Sequence, residues 1–330
     1  MKLPLPIRIL LWPLSLIYGI AARFRVLLYE KGTFKKKRLN TPIISVGNLT
    51  VGGTGKTPMV LYLAEKFLSE GKRVGILSRG YRGTGGTSDE VELLRQRLGS
   101  RVVFGVGADR FAEGDKIERE NPVDVFLLDD GFQHLQLARD ADILMMDGSK
   151  RMEKWMLPAG SLREPRSACS RADALVISRT MEGESQERPS ADGVFHAVTR
   201  LLGFRKLGGD GALVSAAELA GKSLYAFCGI GNPEGFFRDL RQWKLEVAGT
   251  MAFRDHHRYE QQDIETLAGS VRGARATVFV TTEKDEQNLR GANFGNVPVY
   301  IAVIEFFIPN EGAFFTLIKR LLAERRGASA

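Results

Sequence analysis

A glycine-rich segment in the first third of the chain constrains the fold most. Thr50-Val-Gly-Gly-Thr-Gly-Lys-Thr57 follows the apolar run 43–46 and precedes a helical pattern over 58–69. A strand, a glycine-rich turn and a helix in this order direct backbone N–H groups at phosphate oxygens, while the lysine reaches the β- and γ-phosphates and the final hydroxyl can bind Mg²⁺. The segment is therefore interpreted as a P-loop, although a threonine stands at its first glycine position. The predicted nucleotide-binding residues are Thr50, Val51, Gly52, Gly53, Thr54, Gly55, Lys56 and Thr57.

A second apolar run, 125–128, ends in Asp129 and Asp130, and His134 follows shortly after. A P-loop works with a metal-side carboxylate at the end of a neighbouring strand, so both aspartates are predicted Mg²⁺ ligands together with Thr57. The alternative is that both are surface or helix-capping acids, and His134 alone is more often structural. ATP with Mg²⁺ is the predicted cofactor. GTP specificity is not supported, because the segment 282–285 lacks the asparagine of a guanine-reading motif.

The remaining pattern predicts an α/β fold. Short apolar runs alternate with amphipathic helical stretches from residue 42 onward, which is typical of a parallel sheet covered by helices. We predict a P-loop NTPase-like, mostly parallel sheet flanked by helices, a second, smaller α/β domain, and an N-terminal membrane-associating helix. The predicted segments are a membrane-docking segment 1–40, a P-loop core 41–220, a smaller domain 221–310 and a C-terminal helix 311–330 that packs back on the core. The polar stretch 181–190 is predicted to be a loop.

The charge is concentrated at the N-terminus. The first 40 residues hold nine basic and one acidic side chain, which accounts for the whole net charge of +8. The apolar run 9–22 contains Trp12 and Tyr18 and would span roughly 21 Å as a helix, less than the roughly 30 Å of a bilayer core. We therefore predict a helix that lies in the interface of a membrane with anionic headgroups. A secretory signal and a buried core helix are the alternatives, and a nucleic-acid partner is not expected.

Eight motifs occur in the order of one known family. They are Ser45-Val-Gly-Asn-Leu-Thr-Val-Gly-Gly-Thr-Gly-Lys-Thr-Pro58, Ser78-Arg-Gly-Tyr81, Ser88-Asp-Glu90, Asp129-Asp-Gly-Phe-Gln-His134, Leu157-Pro-Ala-Gly-Ser-Leu-Arg-Glu-Pro165, Arg171-Ala-Asp173, Phe253-Arg-Asp-His-His-Arg-Tyr259 and Thr282-Glu-Lys-Asp285. In these motifs the chain resembles the tetraacyldisaccharide 4'-kinases of lipid A biosynthesis. The resemblance implies transfer of the γ-phosphoryl group of ATP to the 4'-hydroxyl of tetraacyldisaccharide 1-phosphate, which gives lipid IVA. It also implies a location at the cytoplasmic face of the bacterial inner membrane, peripheral or monotopic, with no required protein partner.

The resemblance also assigns roles to single residues. Asp89 is the implied proton acceptor for the sugar hydroxyl, and His256 is the implied histidine that orients and tunes it; Lys56 completes the predicted catalytic set. Glu164 is a third acid candidate near Mg²⁺, and Arg79 and Arg171 are candidate phosphate contacts. The predicted metal-side residues are thus Thr57, Asp129, Asp130 and Glu164.

Two other functions remain open from the residues alone. A P-loop ATPase that acts as a switch, or that drives a protein partner at the membrane, would turn over ATP without a lipid acceptor. A lipid-binding module with an inactive P-loop would show no turnover. Because the motif 255–257 adds a possible acid–base group from the second domain, it favours the kinase and predicts closure of the two domains over ATP.

Overall fold

The computed structural model describes residues 4–80, 88–149, 152–179, 193–255, 257–289 and 291–327. Contacts divide the chain into two units, Met1–Val198 with Phe306–Ala330, and Thr199–Glu305. The sequence placed this division at residue 220, about twenty residues later. The predicted loop 181–190, Tyr81 and His256 lie outside the described residues. Because the first unit includes residues on both sides of Thr199–Glu305, the second unit is an insertion within it.

A parallel sheet forms the centre of the first unit. Its strands are β1 (Ile43–Asn48), β2 (Val74–Ser78), β3 (Val102–Val106), β4 (Val125–Asp129), β5 (Ala141–Asp147), β6 (Ala174–Ser178) and β7 (Val194–His196). They lie in the order β3-β2-β4-β1-β5-β6-β7, and every pairing is parallel. The sequence predicted the first six of these strands and missed β7. Every position of β1, β2 and β4 is buried, as expected for strands covered on both faces.

Helices cover this sheet and complete its core. They are α1 (Leu5–Glu30), α2 (Lys56–Ser69), α3 (Asp89–Leu98), α4 (Arg110–Glu120) and, from the C-terminal segment, α8 (Glu311–Gly327), with 3₁₀ turns at Gly99–Arg101 and Arg166–Arg171. The C-terminal α8 packs on α2: Phe314 and Phe315 share one buried cluster with Leu63. Glu311 accepts hydrogen bonds from Tyr62 Oη at 2.9 Å and Lys66 Nζ at 2.8 Å.

The second unit has its own sheet and core. Its strands are β8 (Val198–Lys206), β9 (Leu213–Val214), β10 (Leu224–Cys228), β11 (Val247–Ala252), β12 (Val278–Thr282) and β13 (Val299–Phe307). Its helices are α5 (Pro233–Gln242), α6 (Gln261–Gly273) and α7 (Glu283–Glu286), with 3₁₀ turns at Ala216–Leu219 and Gln287–Leu289. The sheet order is β11-β10-β12-β13-β8-β9. Of these strands the sequence predicted β10, β12 and β13. The two units together confirm the predicted fold class.

The N-terminal helix is longer than the sequence predicted. It contains 26 residues, Leu5–Glu30, and so extends roughly 39 Å rather than 21 Å. Arg8 and Arg23 were taken as the limits of the apolar run, but arginine is a good helix former and does not stop a helix. By length and composition alone this helix is long enough to cross a membrane, and 11% of its most apolar window is buried.

One narrow stripe of α1 packs along the first unit. Seven covered positions, 8, 11, 15, 19, 22, 26 and 29, recur every three or four residues and lie on one side of the helix, and Leu28 beside them is also half-buried. Ser15 Oγ donates to Met156 O at 3.0 Å and accepts from Ala159 N at 3.0 Å. A Cβ at Gly19 would lie 2.9 Å from Met156 Sδ, so a larger residue there would have to displace the end of the Met156 side chain. Leu10, at 78% exposure, and most of the other large apolar side chains of α1 point away from this stripe.

Candidate active site

The P-loop lies at the carboxyl end of β1 and leads into α2. Gly55 precedes the helix with φ of 89°, a left-handed conformation that favours glycine. Asn48 Nδ2 donates to Thr54 Oγ1 at 2.9 Å, and Ser178 Oγ donates to Thr54 O at 3.0 Å. The loop is thus fixed between the ends of β1 and β6. Because the first turn of α2 carries Lys56 and no acidic side chain, its N–H groups and lysine favour an anion.

Lys56 belongs to a charged group around Asp130. Its Nζ lies 3.5 Å from Asp130 Oδ1, and Arg163 Nη1 donates to both oxygens of the same carboxylate at 2.9 Å. Gln133 connects this group to β1, since its Oε1 accepts from Arg163 Nη1 at 3.3 Å and its Nε2 donates to Asn48 O at 2.9 Å. Burial acts to raise the pKa of Asp130, but the charges of Lys56 and Arg163 hold it below its ordinary value. Asp130 is therefore ionised, and it adopts a left-handed backbone conformation with φ of 50°.

Asp129 occupies the last position of β4, opposite Val46 of β1 in the parallel register. Its side chain is buried, and among the described residues Oδ1 has no hydrogen-bond partner. Burial raises the pKa of Asp129 to about 7, against the opposing charge of Lys56. A buried carboxylate oxygen without a partner is suited to a cation, which would hold the group in its ionised form.

The amino end of α3 belongs to the same neighbourhood. Ser88 caps the helix by accepting from Val91 N at 3.4 Å, so Asp89 and Glu90 form its first turn. The charge of Glu90 contributes to the raised pKa of Asp129, which requires the two carboxylates to lie near each other. The structure thereby brings the first turn of α3 into the neighbourhood of the β4 acids, within one unit.

Two arginines of this site were missed by sequence reasoning. Arg163 lies inside the motif 157–165, where only Glu164 was selected. Arg110, at the start of α4, carried no motif at all; it is 6% exposed, and its Nε has no hydrogen-bond partner among the described residues. Burial and the nearby charge of Arg79 lower the pKa of Arg110, whereas Asp130 and Asp129 raise it. Arg110 and Arg79 thus bring positive charge towards the acids at the end of β4.

The side chain and backbone of His134 contact two arginines, which indicates a structural role. Its Nδ1 lies 3.4 Å from Arg110 Nη1, and Arg139 donates to its backbone oxygen at 2.9 Å. Burial, followed by the charges of Arg110 and Arg139, lowers the pKa of His134 to about 4. The ring is therefore neutral at physiological pH and supports the position of Arg110.

Glu164, the third acid of the predicted metal set, forms an ion pair with Arg171. The two side chains are joined by hydrogen bonds of 2.5 and 3.1 Å, and the guanidinium lies 4.6 Å from the centre of the Phe132 ring. Within the described part of the chain, no group of three or more His, Cys, Asp or Glu side chains is arranged to hold a metal ion. The metal role of Glu164 and the phosphate contact of Arg171 both stay predictions.

In the second unit, the described residues on both sides of position 256 are held in place. His257 Nε2 lies 2.9 Å from Asp263 Oδ2, and its ring stacks on Phe253 with centroids 4.6 Å apart. Asp255 accepts from Lys284 Nζ at 3.1 Å. His257 is thus hydrogen-bonded and stacked within this unit, and the catalytic role of His256 stays a prediction.

Comparison with known proteins agrees with this geometry. The family model of tetraacyldisaccharide-1-P 4'-kinase matches residues 7–323. The tetraacyldisaccharide 4'-kinase of Geobacter metallireducens is 40% identical over 95% of this chain and 98% of its own length, and that of Koribacter versatilis is 34% identical over 96% and 99%. A crystal structure of LpxK from Aquifex aeolicus in complex with ATP superposes with a TM-score of 0.73 at 32% identity, covering 96% of this chain and 99% of that one. The chain therefore belongs to the tetraacyldisaccharide-1-P 4'-kinase family.

Proposed function

We propose that this protein transfers the γ-phosphoryl group of ATP to the 4'-hydroxyl of tetraacyldisaccharide 1-phosphate, which yields lipid IVA. The observation that carries the proposal is the P-loop lysine, Lys56, beside the two aspartates at the end of β4. Family membership supplies the lipid acceptor, because the relatives bear the name of this reaction. The ATP in the Aquifex aeolicus structure supports the phosphoryl donor.

The chain's own groups account for binding of the phosphates. The N–H groups of the loop 50–57 and the start of α2 surround one side of the triphosphate, and Lys56 reaches its β- and γ-oxygens. In the described structure Lys56 points at Asp130, and Arg163 shares that carboxylate. Arg163 thereby balances the charge of Asp130, so that the carboxylate keeps a partner when Lys56 turns towards the nucleotide.

Mg²⁺ fits the residues at this edge of the sheet. The unpartnered Oδ1 of Asp129 offers a hard oxygen ligand, and Thr57 at the start of α2 offers a hydroxyl. When bound, the ion neutralises charge on the β- and γ-phosphate oxygens. Asp129 and Thr57 are the residues that we assign to it, with Asp130 beside them. Glu164 is a weaker candidate, because Arg171 already occupies its carboxylate.

Proton removal from the sugar hydroxyl is assigned to Asp89, with His256 as the group that orients it. Asp89 lies in the first turn of α3, next to Glu90, whose charge acts on Asp129. The electrostatic effect of this first turn on Asp129 supports a base at this end of the sheet. Asp89 also suits its position in α3, because a carboxylate in the first turn of a helix interacts favourably with the helix dipole.

The geometry of α1 supports peripheral attachment to a membrane surface, and the proposed lipid reaction places that surface at the cytoplasmic face of the inner membrane. The covered stripe runs from Arg8 to Tyr29, roughly 32 Å, so the helix is attached to the first unit along nearly its whole length. A helix attached in this way cannot cross a bilayer without taking the folded body with it. Its exposed apolar side chains therefore enter the interface sideways, and the exposed Lys35 and Lys36 just after it face anionic headgroups.

The direct test is a phosphoryl-transfer assay on the purified protein in detergent micelles. It uses γ-labelled ATP, Mg²⁺ and tetraacyldisaccharide 1-phosphate, and separates lipid from inorganic phosphate by thin-layer chromatography. Label should enter the lipid with the wild type and not with Lys56→Ala. Label released only as inorganic phosphate, at one rate with or without lipid, would instead indicate a P-loop ATPase.

A further inference from the structure

The segment Thr282-Glu-Lys-Asp285 joins β12 to the one-turn helix α7 and has no role in the proposed reaction. Three acids of α7 are buried, and Asp285 is the most deeply buried of them, with 1% of its surface exposed. A buried carboxylate destabilises the folded state unless hydrogen bonds satisfy its oxygens. The partners of Asp285 therefore indicate what this segment holds.

Asp285 connects the ends of β10 and β12 with the segment that follows β11. Its Oδ1 accepts from Gly229 N at 2.7 Å, just after β10, and from Tyr259 Oη at 2.9 Å, beyond β11. Its Oδ2 accepts from the hydroxyls of Thr281 at 3.2 Å and Thr282 at 2.6 Å, at the end of β12. Burial raises the pKa of Asp285, and these hydrogen bonds oppose that effect.

The segment after β11 is held by the same motif on both sides of position 256. On the amino side, Lys284 Nζ contacts Asp255 Oδ1 at 3.1 Å. On the carboxyl side, the hydroxyl of Tyr259 is held by Asp285, and its ring packs against Phe253 and His257 with centroids 5.1 Å from each.

Close backbone approach makes this arrangement possible. A Cβ at Gly229 would lie 3.0 Å from His257 Cβ, 3.1 Å from Arg254 O and 3.2 Å from Asp285 Oδ1. Phe253 N also donates to Cys228 O at 2.9 Å, which continues the pairing of β10 with the chain beyond β11. The backbone of Arg254 and the Cβ of His257 therefore lie close to the chain that leaves β10.

We propose that Lys284 and Asp285 are positioning residues for phosphoryl transfer: through Asp255 and Tyr259 they fix the chain on both sides of His256. This inference rests on the proposed catalytic pair of Asp89 and His256. Neither Lys284 nor Asp285 touches substrate in this proposal. Their effect is geometric, because a displacement of about 1 Å at a catalytic group can lower turnover about 100-fold.

The test uses Tyr259→Phe and Lys284→Met in the full-length protein. Tyr259→Phe removes one hydroxyl and keeps the ring, whereas Lys284→Met keeps most of the stem and removes the charge. Each should lower kcat about 10- to 100-fold, with KM for ATP changed less than about twofold, since the nucleotide site lies in the other unit. Lys284→Arg should recover most of the lost turnover. Tyr225→Phe is the matched control: this ring lies in the same buried cluster, packed on Phe279, and its variant should keep the wild-type kcat.

A His256→Ala background separates positioning from general damage. If Lys284 and Tyr259 act through His256, then adding either substitution to His256→Ala should change kcat less than about twofold. An equal further loss in that background would overturn the inference, as would wild-type kcat in both single variants. Wild-type turnover of His256→Ala itself would instead refute the proposed catalytic pair, and the positioning role with it.

Discussion

The ion pair of Glu164 and Arg171 provides a prediction that decides between a structural and a metal-binding glutamate. The side chains are 6% and 18% exposed and share two hydrogen bonds. Arg171→Met would leave a buried carboxylate without its partner, which destabilises a protein by about 3–5 kcal/mol. In a unit of this size each kcal/mol lowers Tm by about 2–4 °C, so the expected loss is about 6–20 °C.

The double variant Glu164→Leu with Arg171→Met is the control for this estimate. Replacing both members of a buried pair by apolar groups is often close to neutral, so the double variant should recover most of the Tm lost by Arg171→Met. Thermal unfolding is followed by circular dichroism in detergent micelles, where α1 has an apolar environment. A Tm of Arg171→Met within about 2 °C of the wild type would refute the reasoning.

A second experiment tests Glu164 through the Mg²⁺ dependence of the activity. Glu164→Gln keeps the shape of the side chain and removes its charge, so a structural glutamate predicts a lower Tm with an unchanged Mg²⁺ concentration for half-maximal activity. A metal ligand predicts the reverse, namely a higher Mg²⁺ requirement with little loss of Tm. The first result would remove Glu164 from the metal set, and the second would return it there.

Three further predictions concern single residues. Asp89→Ala should lower turnover by about 10²–10⁴-fold while ATP binding persists, measured with the label-transfer assay; near wild-type turnover would remove Asp89 from the mechanism. The folded-state pKa of His134 is depressed to about 4, so its contribution to stability is present above the unfolded value of about 6.5 and is lost as pH falls from there towards 4. In urea unfolding, the free energy of unfolding should therefore fall less steeply over this pH range in His134→Gln than in the wild type, and equal slopes would contradict the prediction. Gly19→Leu should detach α1 from Met156 and lower Tm without reducing flotation on anionic vesicles, whereas lost flotation at unchanged Tm would contradict the assigned faces of the helix.

Local patterns were sufficient to predict much of this molecule. The apolar runs of β1, β2 and β4 are continuous because both faces of those strands are buried, and the P-loop lies directly between β1 and α2. The strands that were missed lack such runs. In β11 half-buried positions alternate with exposed ones, and β9 has only two residues.

The site was predicted less completely, for a physical reason. Arg110 acquires its role through burial near Asp129 and Asp130, and nothing in the residues around it marks that burial. The contact of Glu164 with Arg171 likewise depends on the path of the chain between them. Burial and side-chain pairing of this kind are set by tertiary packing, whereas the P-loop is set by neighbours in sequence.

The contact of α8 with α2 has a consequence for synthesis of the chain. The helix that carries Lys56 shares its buried cluster with Phe314, Phe315 and Ile318, which are translated about 250 residues later. Because translation adds about 5–20 residues per second, the apolar face of α2 stays without its contact to α8 for roughly 12–50 s during synthesis. During that interval the inserted unit is completed first. The nucleotide-binding half is thus the last part of the nascent protein to mature, and a ribosome that stalls near residue 305 releases a chain whose P-loop helix remains a target for chaperones and proteases.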